Sequence, residues 1–271
     1  MLTERSARIV AAHKLLRRSR RAEAGEFLAE GAPAVAEALA AEPERPGTVL
    51  EFYLTETAGA RHPELARRAF AAGVPVTQIT DRAAAALTDA VTPQGLVVRC
   101  ALPTTTVSDL LATEPRLLAV LVQTSDPGNT GTVIRLADAA AADGVIVAGD
   151  AADPVNPKAI RASAGSLFHL PVVTAPDATA LIAELGAAEL SVLASTGYTD
   201  LELDRADRDG ILDLPTAWLF GSEAHGLPAP IIAAADERIR IPIYGRAESL
   251  NLAAAAAICL YASAGAHRRA G

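Results

Sequence analysis

The fold is decided by residues 117–148, which read LLAVLVQTSDPGNTGTVIRLADAAAADGVIVA. An aliphatic run, predicted as a strand over Leu117–Gln123, leads into the turn Asp126-Pro-Gly-Asn129, and a helix is predicted over Gly131–Ala142. A second aliphatic run, Gly144–Ala148, follows the helix. Strands that lack polar alternation are typical of a parallel sheet covered on both faces. The stretch therefore predicts an α/β domain.

The alternation of strands and helices continues toward the C terminus. Further strands are predicted at Leu190–Ala194, Ala217–Gly221 and Arg238–Pro242. Further helices are predicted at Pro157–Ala162, Ala178–Leu185, Pro230–Ala235 and Leu250–Ala264. The series begins after Pro103-Thr-Thr-Thr-Val107, which has the composition of a linker. A C-terminal domain is therefore expected over residues 108–271.

Residues 1–102 predict a second, smaller α/β domain. A helix is expected over residues 4–20. Strands are expected after it at Glu26–Ala29, Val49–Leu54, Val76–Ile79 and Leu96–Ala101. The helices between them are expected at Ala34–Ala41, Pro63–Ala72 and Arg82–Leu87. Such alternation is typical of a small α/β sandwich.

The composition excludes several classes of protein. Of the 271 residues, 51% are hydrophobic and only 4% aromatic, which predicts a large aliphatic core. The two cysteines, Cys100 and Cys259, are far apart, and neither they nor the five histidines have the spacing of a disulfide framework or a metal site. The longest apolar run, Leu250–Ala264, falls short of the roughly 20 residues of a membrane span, and no signal peptide is evident. We expect a soluble cytoplasmic protein without a metal.

Charge is distributed unevenly along the chain. The net charge is −8, yet residues 1–21 contain seven basic residues and one acidic residue. A local basic patch matters more for contact with phosphates than the total charge does. The candidates for contact with a nucleic acid are Lys14, Arg17, Arg18, Arg20 and Arg21. From charge alone, a solvated helix face with a frayed terminus is an equal alternative.

A dinucleotide-binding Rossmann domain is the general alternative for the C-terminal half. That fold requires G-x-G-x-x-G at a strand-to-helix turn, and the chain contains neither this pattern nor a GK[ST] phosphate-binding loop. A nucleotide site, if there is one, must be constructed differently.

The first group of residues with chemical potential follows the strand Leu117–Gln123. Asn129 is a candidate helix N-cap. Arg135 lies in the sequence VIRLADAAAA, a helix that is apolar on most faces, and arginine is rarely buried without a partner. A functional role for Arg135 and a local ion pair with Asp138, three residues on, are both open.

The second and third groups follow the predicted strands Ala217–Gly221 and Arg238–Pro242. In LFGSEAHGLP, residues 219–228, Gly221 and Gly226 let a ligand approach the backbone, and Glu223 offers a carboxylate. In IPIYGRAESLN, residues 241–251, Ser249 or Asn251 can cap the alanine-rich helix, and the start of a helix also favours an anion.

The order and spacing of these groups resemble the three motifs of the SpoU (TrmH-like) methyltransferases. The matching positions are Asn129-x-Gly131-x-x-x-Arg135, then Gly221-Ser222-Glu223-x-x-Gly226, then Ile241-Pro242 with Ser249-Leu250-Asn251. The stretches Gly25–Gly31 and Lys158–Gly165 also look like that family, so the resemblance covers nearly the whole chain. One departure is Asp143 before Gly144, where an aromatic residue is common.

The resemblance implies a fold, a cofactor and a set of site residues. It implies a ribosomal-protein-like RNA-binding domain over 1–102, and over 108–271 a catalytic α/β domain with a deep trefoil knot that forms a homodimer. S-adenosyl-L-methionine is the implied cofactor. The positions implied to bind it are Leu219, Gly221, Ile241, Ser249 and Leu250, with Thr196 lining the same pocket. The implied catalytic positions are Arg135, Asn129, Glu223, Ser249 and Asn251.

The expected reaction is transfer of a methyl group to a ribose 2′-hydroxyl of structured RNA, with 23S rRNA favoured. Arg135 is either the base that removes the 2′-proton or an electrostatic clamp on a phosphate and the developing alkoxide. The clamp is preferred because a guanidinium rarely loses its proton. The alternatives are a tRNA ribose methyltransferase and an inactive RNA-binding or assembly factor.

Overall fold

The computed structural model describes residues 1–270, which divide into two compact units. The first unit comprises Met1–Thr104 together with Val155–His169. The second comprises Thr105–Pro154 and the chain from Leu170 onward. The first unit thus takes in the segment Val155–His169, which the sequence placed in the C-terminal domain.

The first unit contains a four-stranded sheet in the order β1-β4-β2-β3. Strand β4 is antiparallel to both β1 and β2, whereas β2 and β3 are parallel. The strands are β1 (Glu26–Glu30), β2 (Val49–Leu54), β3 (Val76–Gln78) and β4 (Leu96–Ala101). The helices before residue 105 are α1 (Ala7–His13), α2 (Arg18–Ala24), α3 (Ala32–Ala41), α4 (Glu56–Arg61), α5 (Pro63–Ala71) and α6 (Asp81–Ala86).

The expected helix over residues 4–20 is interrupted. Helices α1 and α2 are separated by the 3₁₀ turn Lys14–Leu16 and by Arg17, whose backbone is extended. The carbonyls of Leu15 and Leu16 accept hydrogen bonds from the Arg21 side chain at 2.9 and 3.0 Å. A side-chain donor therefore replaces the backbone donors that a continuous helix would supply to this turn.

The second unit contains a six-stranded parallel sheet in the order β10-β8-β9-β5-β6-β7, which confirms the predicted parallel α/β class. The strands are β5 (Leu117–Val122), β6 (Gly144–Ala148), β7 (Val172–Ala175), β8 (Ser191–Ser195), β9 (Thr216–Phe220) and β10 (Glu237–Ile239). The remaining helices are α7 (Val107–Leu111), α8 (Pro127–Ala139), α9 (Pro157–Ser163), α10 (Ala178–Ala187), α11 (Leu203–Arg208), α12 (Ala229–Ala234) and α13 (Leu252–Ala270). Of these, α9 belongs to the first unit.

The sheet of the second unit is apolar throughout its centre. All residues of β5, β6 and β9 are buried, as expected for strands with helices on both faces. Helices α8 and α13 pack against each other in this unit. The sequence did not predict β7, because only four residues follow Pro171 before the next polar turn.

Candidate functional site

A cavity of about 350 Å³ lies where three neighbouring strands of the second unit end. Strand β8 is paired with β10 on one side and with β9 on the other, all in parallel, so the segments that follow them emerge at one edge of the sheet. Residues 195–198 lie at the end of β8 and just after it, residues 220–227 lie at the end of β9 and just after it, and residues 241–250 connect β10 to α13. The first turns of α13 complete the wall with Leu252 and Ala255.

Most positions proposed from the sequence for cofactor binding lie on this cavity. The cavity is lined by Thr196, Gly221, Ile241, Ser249 and Leu250. Leu219 is fully buried in the hydrophobic core and is not a lining residue. Its neighbour Phe220 lines the cavity instead, because successive side chains of a strand point to opposite faces.

Gly221 is required for a reason that the sequence did not reveal. A Cβ atom at this position would lie 2.1 Å from the carbonyl carbon of Gly226 and 2.2 Å from the amide nitrogen of Leu227. The backbones of Ser222 and Gly226 exchange hydrogen bonds of 3.1 and 2.8 Å, which close the loop tightly. Gly221 therefore permits the loop to close on itself, whether or not a ligand also contacts it.

The electrostatic character of the cavity follows from its lining. Two carboxylates, Glu223 and Glu248, line it, and none of its described lining residues is a lysine or an arginine. Such a surface favours a cationic ligand over one that carries phosphates. Sequence motifs did not identify most of the wall, since its members come from three loops. The lining residues that the sequence motifs did not single out are Ser195, Gly197, Tyr198, Phe220, Ala224, His225, Leu227, Ile243, Glu248, Leu252 and Ala255.

Three of the proposed catalytic residues form a chain of hydrogen bonds. The Asn129 side-chain amide donates to Glu223 Oε1 at 2.5 Å. The Asn251 amide approaches Asn129 Oδ1 at 3.5 Å, and Asn251 Oδ1 accepts the backbone N–H of Ala253 at 2.9 Å. Asn251 therefore caps α13, as predicted, and the chain joins α8 to the loop after β9 and to the start of α13.

The prediction that Asn129 caps α8 was wrong. The helix begins at Pro127, and the Asp126 side chain accepts the backbone N–H of Gly128 at 3.0 Å. Proline suits the first position of a helix, so the cap moves upstream of it. Because Asn129 lies inside the first turn, its side-chain amide is available to Glu223.

Arg135 lies further along α8 and is exposed. The local pair with Asp138 that its spacing allows stays an alternative. Arg135 does not line the cavity. Its charge is directed to solvent, where a polyanion can reach it.

The basic N-terminal residues differ in their environments. Arg21 is only 2% exposed, and its guanidinium binds the carbonyls described above, so it is not available to a nucleic acid in this conformation. Arg20 pairs with Glu23 at 2.5 Å. The other three candidates, Lys14, Arg17 and Arg18, are exposed.

Two further kinds of site are not found in the described residues. No group of three or more His, Cys, Asp or Glu side chains among them could hold a metal ion. None of the helices within residues 1–270 is both long enough and apolar enough to cross a membrane.

Cys259 packs next to the cavity residue Ser195, and burial raises the pKa of its thiol to about 12, so that it is not a nucleophile at neutral pH.

Comparison with known proteins gives matches over most of the chain. Residues 116–261 match the SpoU rRNA Methylase family, and residues 6–98 match the MRM3-like substrate binding domain. The chain is 33% identical over 251 residues to the 23S rRNA (guanosine(2553)-2'-O)-methyltransferase RlmP of Bacillus subtilis (strain 168), with 92% of each chain covered.

Solved structures show the same fold over the full length. The SpoU methyltransferase AviRb from Streptomyces viridochromogenes, crystallised in complex with the cofactor AdoMet, has a TM-score of 0.82 and 30% identity, over 98% of this chain and 100% of that one. An AdoMet-bound rRNA methyltransferase from Sinorhizobium meliloti has a TM-score of 0.80 and 28% identity, over 95% and 94% of the two chains.

Proposed function

The chain belongs to the SpoU rRNA methylase family, and we propose that it transfers the methyl group of S-adenosylmethionine to a ribose 2′-hydroxyl of 23S rRNA. The observation that carries this proposal is the acidic cavity beside the hydrogen-bonded chain Asn251–Asn129–Glu223. The cavity suits the cofactor in size, since ligand pockets begin at about 300 Å³. Its two carboxylates suit a ligand that carries a sulfonium and an ammonium group, and its aliphatic walls suit an adenine.

The residues that would hold the cofactor are those that line the cavity. Thr196 and Ser249 offer hydroxyl groups, and Ile241 and Leu250 offer apolar surface. Gly221 keeps the loop after β9 closed, so that its backbone stays at the cavity wall. Leu219 is buried in the core just before this loop and would not contact the ligand through its side chain.

The chain's own contribution to the reaction is positioning and charge. When bound, S-adenosylmethionine supplies a methyl group that is already activated as a sulfonium. Asn129, held by Glu223, would orient the ribose at the mouth of the cavity, and Asn251 fixes Asn129 from the other side. Holding the reacting groups in line can contribute about 7–11 kcal/mol to catalysis.

Arg135 is proposed to act as an electrostatic clamp. Its guanidinium would bind the phosphate next to the target ribose in a bidentate manner and stabilise the negative charge that develops on the 2′-oxygen. Its exposure on α8 suits a partner that arrives from solvent. A role as the base that removes the 2′-proton is the alternative, and it requires a neutral guanidinium, which is scarce at pH 7.

We further propose that the protein is a homodimer. One face of α13 is buried, and the opposite face carries Ala254, Ile258 and Tyr261, of which Ile258 is 41% and Tyr261 54% exposed. An apolar helix face of this kind requires cover. Light scattering at micromolar concentration should give about twice the 27.9 kDa chain mass, and a monomeric mass would contradict the proposal.

We propose that the first unit binds the RNA. We also propose that the protein acts in the cytoplasm. Lys14, Arg17 and Arg18 are exposed cations in its basic N-terminal segment, and phosphate contacts supply most of the affinity for a structured RNA. A substrate-binding domain of this size favours rRNA over tRNA, because tRNA enzymes of the family often rely on short terminal extensions. A tRNA substrate and an inactive assembly factor are the alternatives.

The test is to identify the methylated atom. Purified protein is incubated with methyl-labelled cofactor and either unmodified 23S rRNA transcript or a tRNA mixture, and the RNA is hydrolysed in alkali. Methylation of the 2′-oxygen protects the adjacent phosphodiester, so the label should appear in an alkali-resistant dinucleotide from 23S rRNA. Label on bases alone would falsify the ribose assignment, label in tRNA would favour the tRNA alternative, and no label would favour the inactive factor.

A further inference from the structure

Two loops that border the cavity carry exposed tyrosines. Tyr198, which follows β8, lines the cavity and is 94% exposed, and Tyr244, next to the lining residue Ile243, is 88% exposed. What distinguishes these rings from other exposed aromatic residues, such as Phe70, is their place beside the cavity. An exposed ring at that place offers a flat face to a ligand whose other end reaches the cavity.

Tyr198 lines the cavity at its rim and not deep inside it. A ring that formed the wall would be partly covered by neighbouring side chains, whereas almost all of this residue is in solvent. Its backbone N–H is held by the hydroxyl of Thr196 at 3.3 Å, and Thr196 itself lines the cavity. The backbone is thereby fixed to the cavity while the phenol extends outward.

The charge of this loop restricts what it can bind. Residues 196–200 read TGYTD and contain no cation, and Asp200 is exposed. A phosphate is repelled by such a segment, but the uncharged face of an aromatic ring is a stacking surface for a nucleobase. The ligand that fits is therefore the base of a nucleotide and not its backbone.

We infer that Tyr198 stacks on the base of the target nucleotide while the ribose of that nucleotide reaches the cavity mouth. This inference rests on the proposed function. Every nucleotide of an RNA carries the same 2′-hydroxyl group. Contacts with the ribose alone therefore cannot keep the target nucleotide, and not a neighbouring one, at the cavity mouth. Stacking on an exposed ring supplies a contact outside the ribose, and it tolerates any base.

The first experiment compares Tyr198→Ala with Tyr198→Phe. The readouts are kcat and KM for unmodified 23S rRNA transcript, the cofactor Kd by calorimetry, and the mass by light scattering. For Tyr198→Ala we expect kcat/KM to fall about tenfold, within the range found when a stacking aromatic is removed. Tyr198→Phe should stay within about twofold of the wild type, and the cofactor Kd and the mass should not change.

The matched control is Phe70→Ala, since Phe70 is an aromatic residue of the first unit that is 85% exposed. It should leave kcat/KM and the cofactor Kd unaltered. Parallel weakening of cofactor binding in Tyr198→Ala would place the ring in the cofactor pocket and overturn the inference. The inference would also be overturned if Tyr198→Ala fell to monomer mass, if the alanine and phenylalanine variants lost kcat/KM equally, or if neither variant lost any.

A second experiment tests the base itself. After the target nucleotide has been mapped, a 23S rRNA fragment is ligated with an abasic ribose at that position, which keeps the 2′-hydroxyl and removes the base. On this abasic RNA the wild type should lose about as much kcat/KM as Tyr198→Ala loses on intact RNA. Tyr198→Ala acting on the abasic RNA should lose little more than either change alone. Fully additive losses would overturn the stacking contact. If the wild type makes no alkali-resistant dinucleotide from intact 23S rRNA, the proposed function itself has failed.

Discussion

The two units differ in what they bury. Among the described residues, the first unit buries the charged side chains Arg21, Glu30, Glu42 and Glu51, each at most 9% exposed. The polar side chains buried in the second unit are all hydroxyls, those of Thr124, Thr130, Thr216 and Ser263. Charged groups are thus part of the interior in one unit and are kept at the surface in the other.

The buried charges of the first unit are bonded to their surroundings. Glu42 accepts the backbone N–H groups of Gly47 and Val49 at 2.7 and 2.6 Å. Glu51 accepts the hydroxyl groups of Tyr53 and Thr77, both at 2.7 Å. Such groups stabilise the fold only while every partner is present. The charge of a residue in this unit therefore does not by itself mark it as a contact for RNA.

In the second unit the polar groups lie where the strands end. The interiors of β8 and β9 are apolar, and the segments at the ends of β8, β9 and β10 carry the hydroxyls and carboxylates of the cavity. These groups contribute little to the core, so they are free to serve a ligand. Substitutions of polar residues should thus affect stability in the first unit and activity in the second.

Arg135→Ala should give the largest effect and should spare stability. Its charge matters most as the 2′-oxygen becomes negative, so turnover should fall about 10²–10³-fold, with little change in the cofactor Kd. Arg135→Lys should recover little, since an ammonium cannot reproduce the bidentate fork. Single-turnover kinetics and calorimetry measure the two quantities. A variant that unfolds at lower urea than the wild type would break the comparison.

Arg21→Ala is the converse test, in the first unit. The substitution leaves the carbonyls of Leu15 and Leu16 without their donor, which should cost about 2–4 kcal/mol of unfolding free energy. The matched control is Arg17→Ala, because Arg17 is exposed and only four residues away. It should change stability by less than about 0.5 kcal/mol and should weaken RNA binding. Urea titrations and filter binding separate the two effects. Unchanged stability with lost RNA affinity in Arg21→Ala would show that the charge is not structural.

Gly197→Val should block the cavity without disturbing the loop. A Cβ at Gly197 meets no atom within 4 Å, so the substitution does not strain the loop. Because Gly197 lines the cavity, the valine side chain would fill part of the volume that the cofactor occupies when bound. Calorimetry should show binding weakened at least tenfold, about 1.4 kcal/mol. Gly245→Val is the control, since that glycine is equally open but does not line the cavity. Full affinity in Gly197→Val would remove this cavity as the cofactor site.

Much of the second unit could be predicted from the sequence because its signals are local. The apolar runs of β5 and β6 around the helix α8 predict parallel strands without knowledge of any distant residue. The family resemblance singled out Asn129, Glu223 and Asn251, which the fold brings together from positions up to 122 residues apart. Periodicity alone could not have joined them.

What could not be predicted depends on contacts that the sequence does not encode locally. The burial of Arg21 depends on a turn that presents two carbonyls to it, and the charge pattern gives no sign of that turn. The need for Gly221 depends on the path of the chain five residues later. Tyr198 belongs to no motif, and only the shape of the cavity shows that it lies at the rim.

Glu51 gives the smallest effect, which appears only in acid. Burial, the largest influence, would raise the pKa of its carboxyl, but hydrogen bonds from Thr77, Tyr53 and Arg8 reverse this, and the pKa lies below its ordinary value. A lowered pKa stabilises the folded state above the unfolded pKa of about 4.3, and this stabilisation is lost as the pH falls through the folded value. The wild type should therefore lose stability below about pH 4.3, and Glu51→Gln should lose it less steeply in the same window. Urea midpoints measured from pH 6 to pH 3 give both slopes. Equal slopes for Glu51→Gln and the wild type would mean that the buried carboxylate does not distinguish the interior of the first unit after all.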